Sequence, residues 1–295
     1  MLFRSGAGAR DAKRIEDVAK LAGLKQIDYL ITTHYDIDHM GGAAPLAALI
    51  PIKNIYDNAD KNVAREQRSQ AYKDIKAEKR VLISPGDELP LKQAQGATAG
   101  AKINLRCLAA RKTFIDPPPG AKENPFAKEA KEKPVDVTDN VNSVVMLLSF
   151  GDFRFFDGGD LTWNMEKELA APLNRVGTVD VYQTDHHGLA RSGNPVLVKA
   201  IAPTVSVMNN AATKGTEAET METLRATPSI QAMFQLHKNT RADGDVNNTK
   251  DEFIANFGGQ SEGNYIKMSV EPDGKKYSIS IPATKFEKTF ETTKK

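Results

Sequence analysis

Ile27-Asp28-Tyr29-Leu30-Ile31-Thr32-Thr33-His34-Tyr35-Asp36-Ile37-Asp38-His39-Met40-Gly41-Gly42 is the stretch on which the reading of this chain turns. Its first half is rich in β-branched and aromatic residues, which predicts a buried strand over 26–33. Its second half places four ligand-type side chains within six positions and ends in Gly-Gly, ahead of a helical run from Ala43 to Ile50. With the backbone still extended past the strand, positions 34 and 36 point the same way. Asp38 and His39 fall where the chain turns into a helix, so they swing to a second point nearby. Imidazoles and carboxylates at two adjoining points suit divalent ions such as Zn, Mn or Fe. A solvated turn, or an aspartate capping the next helix, accounts for one such residue but not for four.

The other histidines sharpen this. The chain has five, and His34, His39, His186 and His187 form two clusters, each directly after a predicted buried strand. A sheet fixes the loop there while the end stays open to solvent, which is where reactive groups concentrate. The second cluster, Asp185-His186-His187-Gly188, follows a predicted strand over 179–184. A hairpin over 142–150 and 153–156, turned at Gly151-Asp152, ends in Asp157-Gly158-Gly159-Asp160. His237, in Phe234-Gln235-Leu236-His237, reads as a strand-edge or hydrogen-bonded core residue. Trp163 reads as packing rather than a stacking platform, and Asp157 as a turn residue or a brace for the ligands.

Further out, apolar spacing predicts a helix over 10–22 stopped at Gly23, a strand over 52–56 and a polar helix over 61–79. Strands follow near 80–84 and 103–108, with helices over 164–175, 194–202 and 216–226, a strand over 204–208, and a hairpin of 265–271 with 276–281. Strand and helix alternation with interspersed hairpins is that of a mixed α/β sandwich in one domain, 1–295. Between Ala109 and Asn140 the composition shifts to Pro, Lys, Glu and Ala, which marks an insertion and a candidate lid.

A hydrophobic content of 40% and a charged content of 26% are ordinary for a globular protein, and the net charge of +2 provides no field for holding long nucleic acid. The single cysteine, Cys107, excludes an intramolecular disulfide and reads as a buried structural thiol. No apolar run approaches the roughly 20 residues of a membrane span and no leader pattern is visible, so a soluble protein of unassigned compartment is expected, with no membrane partner.

His34-x-Asp36-x-Asp38-His39-x-Gly41-Gly42 resembles the metallo-β-lactamase superfamily signature His-x-His-x-Asp-His, with Asp in place of the second His. The variant is similar to that in the hydrolase domain of bacterial competence (DNA-uptake) channel proteins and their free-standing relatives. Asn142-Ser143-Val144-Val145 with Gly159-Asp160, and Asp185-His186-His187-Gly188 with Ser192, resemble further motifs of that group. Order and spacing agree from about residue 25 to 210, roughly two thirds of the chain.

The resemblance implies an αββα sandwich of two mixed sheets flanked by helices, and one or two divalent ions. Zn and Mn are favoured, with Ca a further candidate. It implies His34 and Asp36 on one ion, with Asp38, His39 and one of His186 or His187 on the other. His186 is the preferred ligand, His187 then lines the pocket as a proton donor or substrate contact, and Asp160 bridges. Asp38, His187 and Lys214 are the implied catalytic groups, Asp38 orienting the water and Lys214 offsetting charge.

Two departures stand out. No His occurs between 40 and 185, so the first position has one imidazole, with Asn140 or Asn142 near the place of the missing one. Leu2-Phe3-Arg4-Ser5-Gly6 stands where an Asp-containing turn is expected, which implies missing N-terminal strands or a covered sheet edge and allows a homo-oligomer through it. The expected activity is hydrolysis by a metal-activated water, most of all on phosphodiesters, with a small-molecule or nucleotide-type substrate and no stable nucleic-acid partner. The alternatives are a lactone or ester hydrolase, including one for acyl-homoserine-lactone-type signals, and a non-catalytic metal-binding member of the fold.

Overall fold

The computed structural model describes residues 2–3 (backbone only), 5–58, 69–93, 101–129, 131–258 and 262–293. Arg4 and most of the N-terminal half of the expected helix over 61–79 lie outside them.

The chain opens with β1 (Leu2–Phe3), α1 (Ala9–Leu21), β2 (Ile27–Thr32), α2 (Ile37–Met40), α3 (Ala43–Leu49), β3 (Ile52–Asp57), α4 (Gln70–Lys73) and β4 (Lys79–Leu82). The strands form a four-stranded parallel sheet in the order β1-β2-β3-β4. The expected polar helix is thus short in its described part: α4 is a single turn, and Lys79 already opens a strand.

Then come β5 (Ile103–Ala110), β6 (Thr113–Phe114), β7 (Val145–Phe150), β8 (Phe153–Asp157), α5 (Trp163–Ala170), β9 (Val181–Gln183), α6 (Pro195–Ile201), β10 (Val205–Met208), α7 (Ala218–Arg225), β11 (Ala232–His237), α8 (Gly244–Asn247) and β12 (Ile254–Asn256). They give an eight-stranded mixed sheet in the order β12-β11-β10-β9-β8-β7-β5-β6. Helix α5 stops five residues before the expected end at Arg175. Pro172 disfavours helical backbone at Ala171, which is extended. Strands β13 (Lys267–Val270), β14 (Lys276–Ile281) and β15 (Phe286–Glu291) make a third, antiparallel sheet.

Period-two alternation decides the layering. In the eight-stranded sheet Phe156, Tyr182 and Met208 face one way, packing with Leu169, Leu197, Met221 and Leu224 of α5 to α7. Their neighbours Phe155, Val181 and Val207 face the other way, against Tyr277, Ile279 and Phe290 of the third sheet. Further along that inner face, Leu105, Cys107 and Met146 meet Ile31 of β2. Leu30 and Ile55 on the outer face of the four-stranded sheet pack under α1 and α3 through Ala12, Ala19 and Leu46. The order of layers is helix, sheet, sheet, helix, but of the two mixed sheets expected only the eight-stranded one is mixed: the four-stranded sheet is wholly parallel, because helices or crossovers rather than hairpins join its strands. Cys107 is fully buried, and burial pushes its thiol up to about 12. None of the helices of the described residues is long and apolar enough to cross a membrane.

Candidate metal centre

The cluster stands at the carboxyl ends of β2, β8, β9 and β10, where parallel strands deliver their loops to one rim. Close backbone approach shapes it. A Cβ on Gly42 would lie 1.9 Å from the carbonyl oxygen of Ser5, and the Ser5 N–H in turn donates to the His39 carbonyl (2.8 Å). A Cβ on Gly158 would lie 2.3 Å from Asp185 Oδ1. These glycines let the His34–His39 turn, the Asp157–Asp160 turn and the histidine pair sit against their neighbours. Asp36 occupies the N-cap position of α2 without a side-chain capping bond, so it is not held there as a cap.

Asp160 is the centre. Its carboxylate is buried, and four imidazole Nε2 atoms surround it: His39 at 3.2 Å, His187 at 3.4 Å, His186 at 3.6 Å and His34 at 3.9 Å. Each ring turns its Nδ1 outward. His187 Nδ1 donates to the carbonyl of Asn209 (2.8 Å), and His39 Nδ1 meets Thr33 Oγ1 (2.9 Å). His186 Nδ1 lies 3.3 Å from Ser192 Oγ, whose own proton goes to the Leu161 carbonyl (2.6 Å). His34 Nδ1 is near Thr33 Oγ1 (3.2 Å) and Ser143 Oγ (3.5 Å). A carbonyl only accepts, so His187 carries its proton on Nδ1, and its Nε2 lone pair faces inward; the engaged Ser192 hydroxyl orients His186 the same way. Lone pairs of several rings and a carboxylate converging on one buried space is the arrangement a cation completes.

Asp38 lies on the cleft side. Its Oδ2 is 3.1 Å from His187 Nε2 and 2.6 Å from Lys214 Nζ. Burial works against its ionisation, but His187 and His39 when protonated on both nitrogens, together with Lys214, outweigh that and hold it well below the usual carboxylate range. Burial likewise opposes the charge on Asp160, which His39 and His187 in their protonated forms nonetheless favour. Burial lowers His186 to about 4, so that ring is neutral. Donor atoms of Asp38, His39, Asp160 and His187 all lie within 4.8 Å of one another, a set that fits a divalent ion. The tight set includes His187, the histidine expected to line the pocket, while His186 touches Asp160 from the inner side.

The other half is sparser. His34 Nε2 is buried with no hydrogen-bond partner, 3.6 Å from Asp36 Oδ2 on a side chain 40% exposed. The turn Asp139–Asn142 packs against it: Asp139 Oδ2 accepts from the Tyr35 N–H (2.8 Å), and Asn142 Nδ2 donates to Asp139 Oδ1 (3.0 Å). Asn140 Oδ1 is buried without a partner. Asp157 braces the next turn through the Gly159 N–H (2.9 Å) and Gln183 Nε2 (2.8 Å).

The histidine pair itself is strained. His186 and His187 have φ of 52° and 59°, left-handed backbone that costs non-glycine residues of order 1–3 kcal/mol each. Asp185 and Glu166 underpin it, both fully buried. Burial raises the Glu166 pKa, and its carboxyl accepts from the N–H groups of Gly193 (3.0 Å) and Asn194 (2.8 Å). His237 stands outside the cluster, at the end of β11. Trp163 is buried packing, its Nε1 donating to the Lys131 carbonyl (2.8 Å) and its ring under Lys133 Nζ (3.6 Å). Through these contacts the candidate lid lies along α5. None of its residues lines the cavity that opens beside Asp38 and His187.

Sequence reading did not foresee Asp139, nor Thr33 and Asn209 behind the rings. Only Ser143 and Ser192 carried a signal, since both fall inside the quoted motifs.

No curated protein matches the sequence. Solved structures that resemble the fold include CmlA, a diiron β-hydroxylase from Streptomyces venezuelae (12% identity, TM-score 0.37, 62% of this chain and 35% of that one). A candidate metal-dependent hydrolase from Parabacteroides distasonis is another (14% identity, TM-score 0.38, 71% of this chain and 77% of that one). The chain thus spans about a third of the length of that β-hydroxylase. The profile of the metallo-beta-lactamase superfamily matches residues 5–137, a span that holds His34, Asp36, Asp38 and His39 and stops short of Asp160 and the histidine pair. The fold brings those later residues onto the matched motif, and residues 5–137 of this chain belong to the metallo-β-lactamase superfamily.

Proposed function

We propose that this chain, acting as one hydrolase domain, cleaves phosphodiesters of small, nucleotide-type substrates with a metal-activated water. The observation that carries this reading is the cleft side of the cluster, where Lys214 Nζ stands 2.6 Å from Asp38 Oδ2 and both line the open cavity with His187. His39, Asp160, Asp38 and His187 would hold the first ion, and His34, Asp36 and Asp160 would hold a second, with Zn or Mn favoured. Such ions supply an acidified water as nucleophile and offset negative charge as the displacement proceeds.

The protein's own groups do the rest. Asp38, held ionised, accepts a hydrogen bond from the attacking water through Oδ2 and aims it. His187 is fixed by the Asn209 carbonyl and cannot rotate away. Lys214, only half-buried, swings its Nζ from Asp38 to a non-bridging phosphoryl oxygen as that oxygen gains charge. A phosphodiester needs that cation more than a neutral ester does. The Asp-for-His motif, similar to that of the DNA-uptake hydrolases, supports the same substrate class.

A lactone or ester hydrolase is the second reading, favoured by the apolar Ile15, Val18 and Leu236 in the same cavity. The test is metal content by mass spectrometry together with hydrolysis of bis(p-nitrophenyl) phosphate after addition of Mn, Zn or Ca. Bound metal with diester turnover is the expected result. Bound metal with turnover only of lactones or carboxylic esters replaces the substrate class, and metal without any turnover leaves a binding protein.

A further inference from the structure

Two working groups on the cleft side of the centre depend on one loop, residues 209–216, between β10 and α7. Asn209 accepts the His187 Nδ1 proton on its carbonyl (2.8 Å). Further along, Lys214 places its Nζ 2.6 Å from Asp38 Oδ2. Gly215 then passes so close to the histidine pair that a Cβ there would lie 1.9 Å from the His187 carbonyl oxygen. A shift of this loop therefore moves the support of His187 and the reach of Lys214 together.

Within the loop, the Ala211 N–H donates to the Lys214 carbonyl (2.9 Å), which closes a tight turn just before a strained stretch. Thr216 has φ of 50°, left-handed backbone that persists in a threonine only where its surroundings enforce it. Enforcing contacts come from the segment 237–243 at and beyond the end of β11. Asn210 accepts from the His237 N–H (3.2 Å) and donates Nδ2 to the His237 carbonyl (2.6 Å). Thr240 donates its N–H (2.9 Å) and its hydroxyl (3.2 Å) to the Ala212 carbonyl. Arg241 donates Nη1 to the Gly215 carbonyl (2.8 Å), and its Nη2 stands 3.5 Å from the Thr216 carbonyl.

The Arg241 guanidinium is itself aimed. Its Nε and Nη2 form a two-point fork on Asp243 (3.0 and 2.9 Å), and Asn247 Nδ2 donates to Asp243 in turn (2.9 Å). A planar fork fixes the direction of the remaining N–H groups, which a flexible ammonium does not. Arg241 is absent from the lining of the cavity beside Asp38 and His187, so its influence on that site passes through the loop. We infer that Arg241, with Asp243 behind it, is a positioning residue that locks the backbone at Gly215 and Thr216 and thereby sets His187 and Lys214. The inference rests on the reading of those two as metal ligand and phosphoryl-binding cation.

Arg241→Gln tests it, with Arg225→Gln as the control. Arg225 clamps the Val246 and Asn248 carbonyls (2.6 and 3.3 Å), bonds of the same kind to carbonyls outside the loop. In hydrolysis of bis(p-nitrophenyl) phosphate by the metal-loaded protein, Arg241→Gln is expected to lower kcat about tenfold with KM little changed. In a Lys214→Met background the same change should cost less than about threefold, because part of what Arg241 positions is gone. Arg225→Gln should leave kcat within about twofold of the parent. An unchanged kcat in Arg241→Gln overturns the inference. So does the same loss in both backgrounds, or equal losses from the two arginine variants, either of which marks general loosening. If no diester is cleaved with any metal, the reaction reading fails, and calorimetric titration of the metal-free protein with Zn decides the inference alone. Arg241→Gln should then weaken Zn binding about tenfold through His187, and Arg225→Gln should leave it unchanged. Unchanged affinity in Arg241→Gln, equal weakening in both variants, or no Zn binding by the parent protein overturns it.

Discussion

The two halves of the cluster share Asp160 but are built to different tightness. On one side Asp38, His39 and His187 bring their donor atoms, with Asp160, within 4.8 Å of one another, and the histidines are held from behind by Thr33 and the Asn209 carbonyl. On the other side His34 stands 3.6 Å from Asp36, whose side chain is 40% exposed, and 3.9 Å from Asp160. The difference follows from chemistry at one position. An imidazole reaches further than an aspartate and is steered through its second nitrogen, whereas Asp36 has no such handle. One position is thus pre-formed and the other is open and oxygen-rich, so under the two-ion reading proposed above the two are expected to fill with unequal affinity.

The largest effect is expected where the halves join. Asp160→Ala removes the one carboxylate among the described residues within reach of all four imidazole Nε2 atoms, so metal content is expected to fall to near zero and turnover to drop by on the order of a thousandfold or more. Mass spectrometry and diester kinetics on the same preparation check it. Full metal content in that variant would sink the proposed centre.

Asymmetry predicts a graded result for the next pair. His187→Gln is expected to lose the tightly bound ion and about a hundredfold or more in activity, and Asp36→Ala only the weaker ion and about tenfold. Equal losses of metal and rate from the two would break the comparison. Asp36→His sharpens it from the other direction, since an imidazole there raises affinity at the open half by about tenfold; calorimetric titration of metal-free protein checks this, and unchanged affinity would mean that reach is not what limits that half.

Much of this was legible in the sequence because it is local. The strand before His34, the Gly-Gly that lets Ser5 approach, and the Gly-Asp turn are each contained in a few consecutive residues. So are the two histidine clusters, and the αββα layering follows from strands whose alternate residues face opposite cores. Illegible features depend on distant segments or weak patterns. Strand β12 is three residues long, and β15 reads Phe286-Glu287-Lys288-Thr289-Phe290-Glu291 with one buried residue, too polar to announce itself. The choice between His186 and His187 is set by Asn209 and Ser192, which take hold of the rings only once β10 and the Leu189–Ser192 turn are in place. Arg10 and His237 are 227 positions apart and come to line one cavity only once the chain is folded.

The smallest predicted effect concerns His186, the ring on the inner side of Asp160, and it is read on the metal-free protein. Burial first of all lowers its pKa to about 4, against an ordinary value of 6.5, so between those values the unfolded chain binds more protons there than the folded one. Stability therefore falls as pH drops from about 6.5 to 4. Asp38 and Asp160, held below their ordinary range, add their own loss only at lower pH. Glu166 works in the opposite sense, since its raised pKa gives stability at low pH that is lost as pH rises through it. Comparison of two variants on one scaffold cancels that contribution. His186→Asn keeps an N–H donor for Ser192 but cannot titrate, so its urea midpoint should decline less steeply between pH 6.5 and 5 than that of the parent. Identical slopes would show that His186 takes up its proton as readily in the folded protein as in the unfolded chain, so that burial does not hold the inner ring neutral beside Asp160.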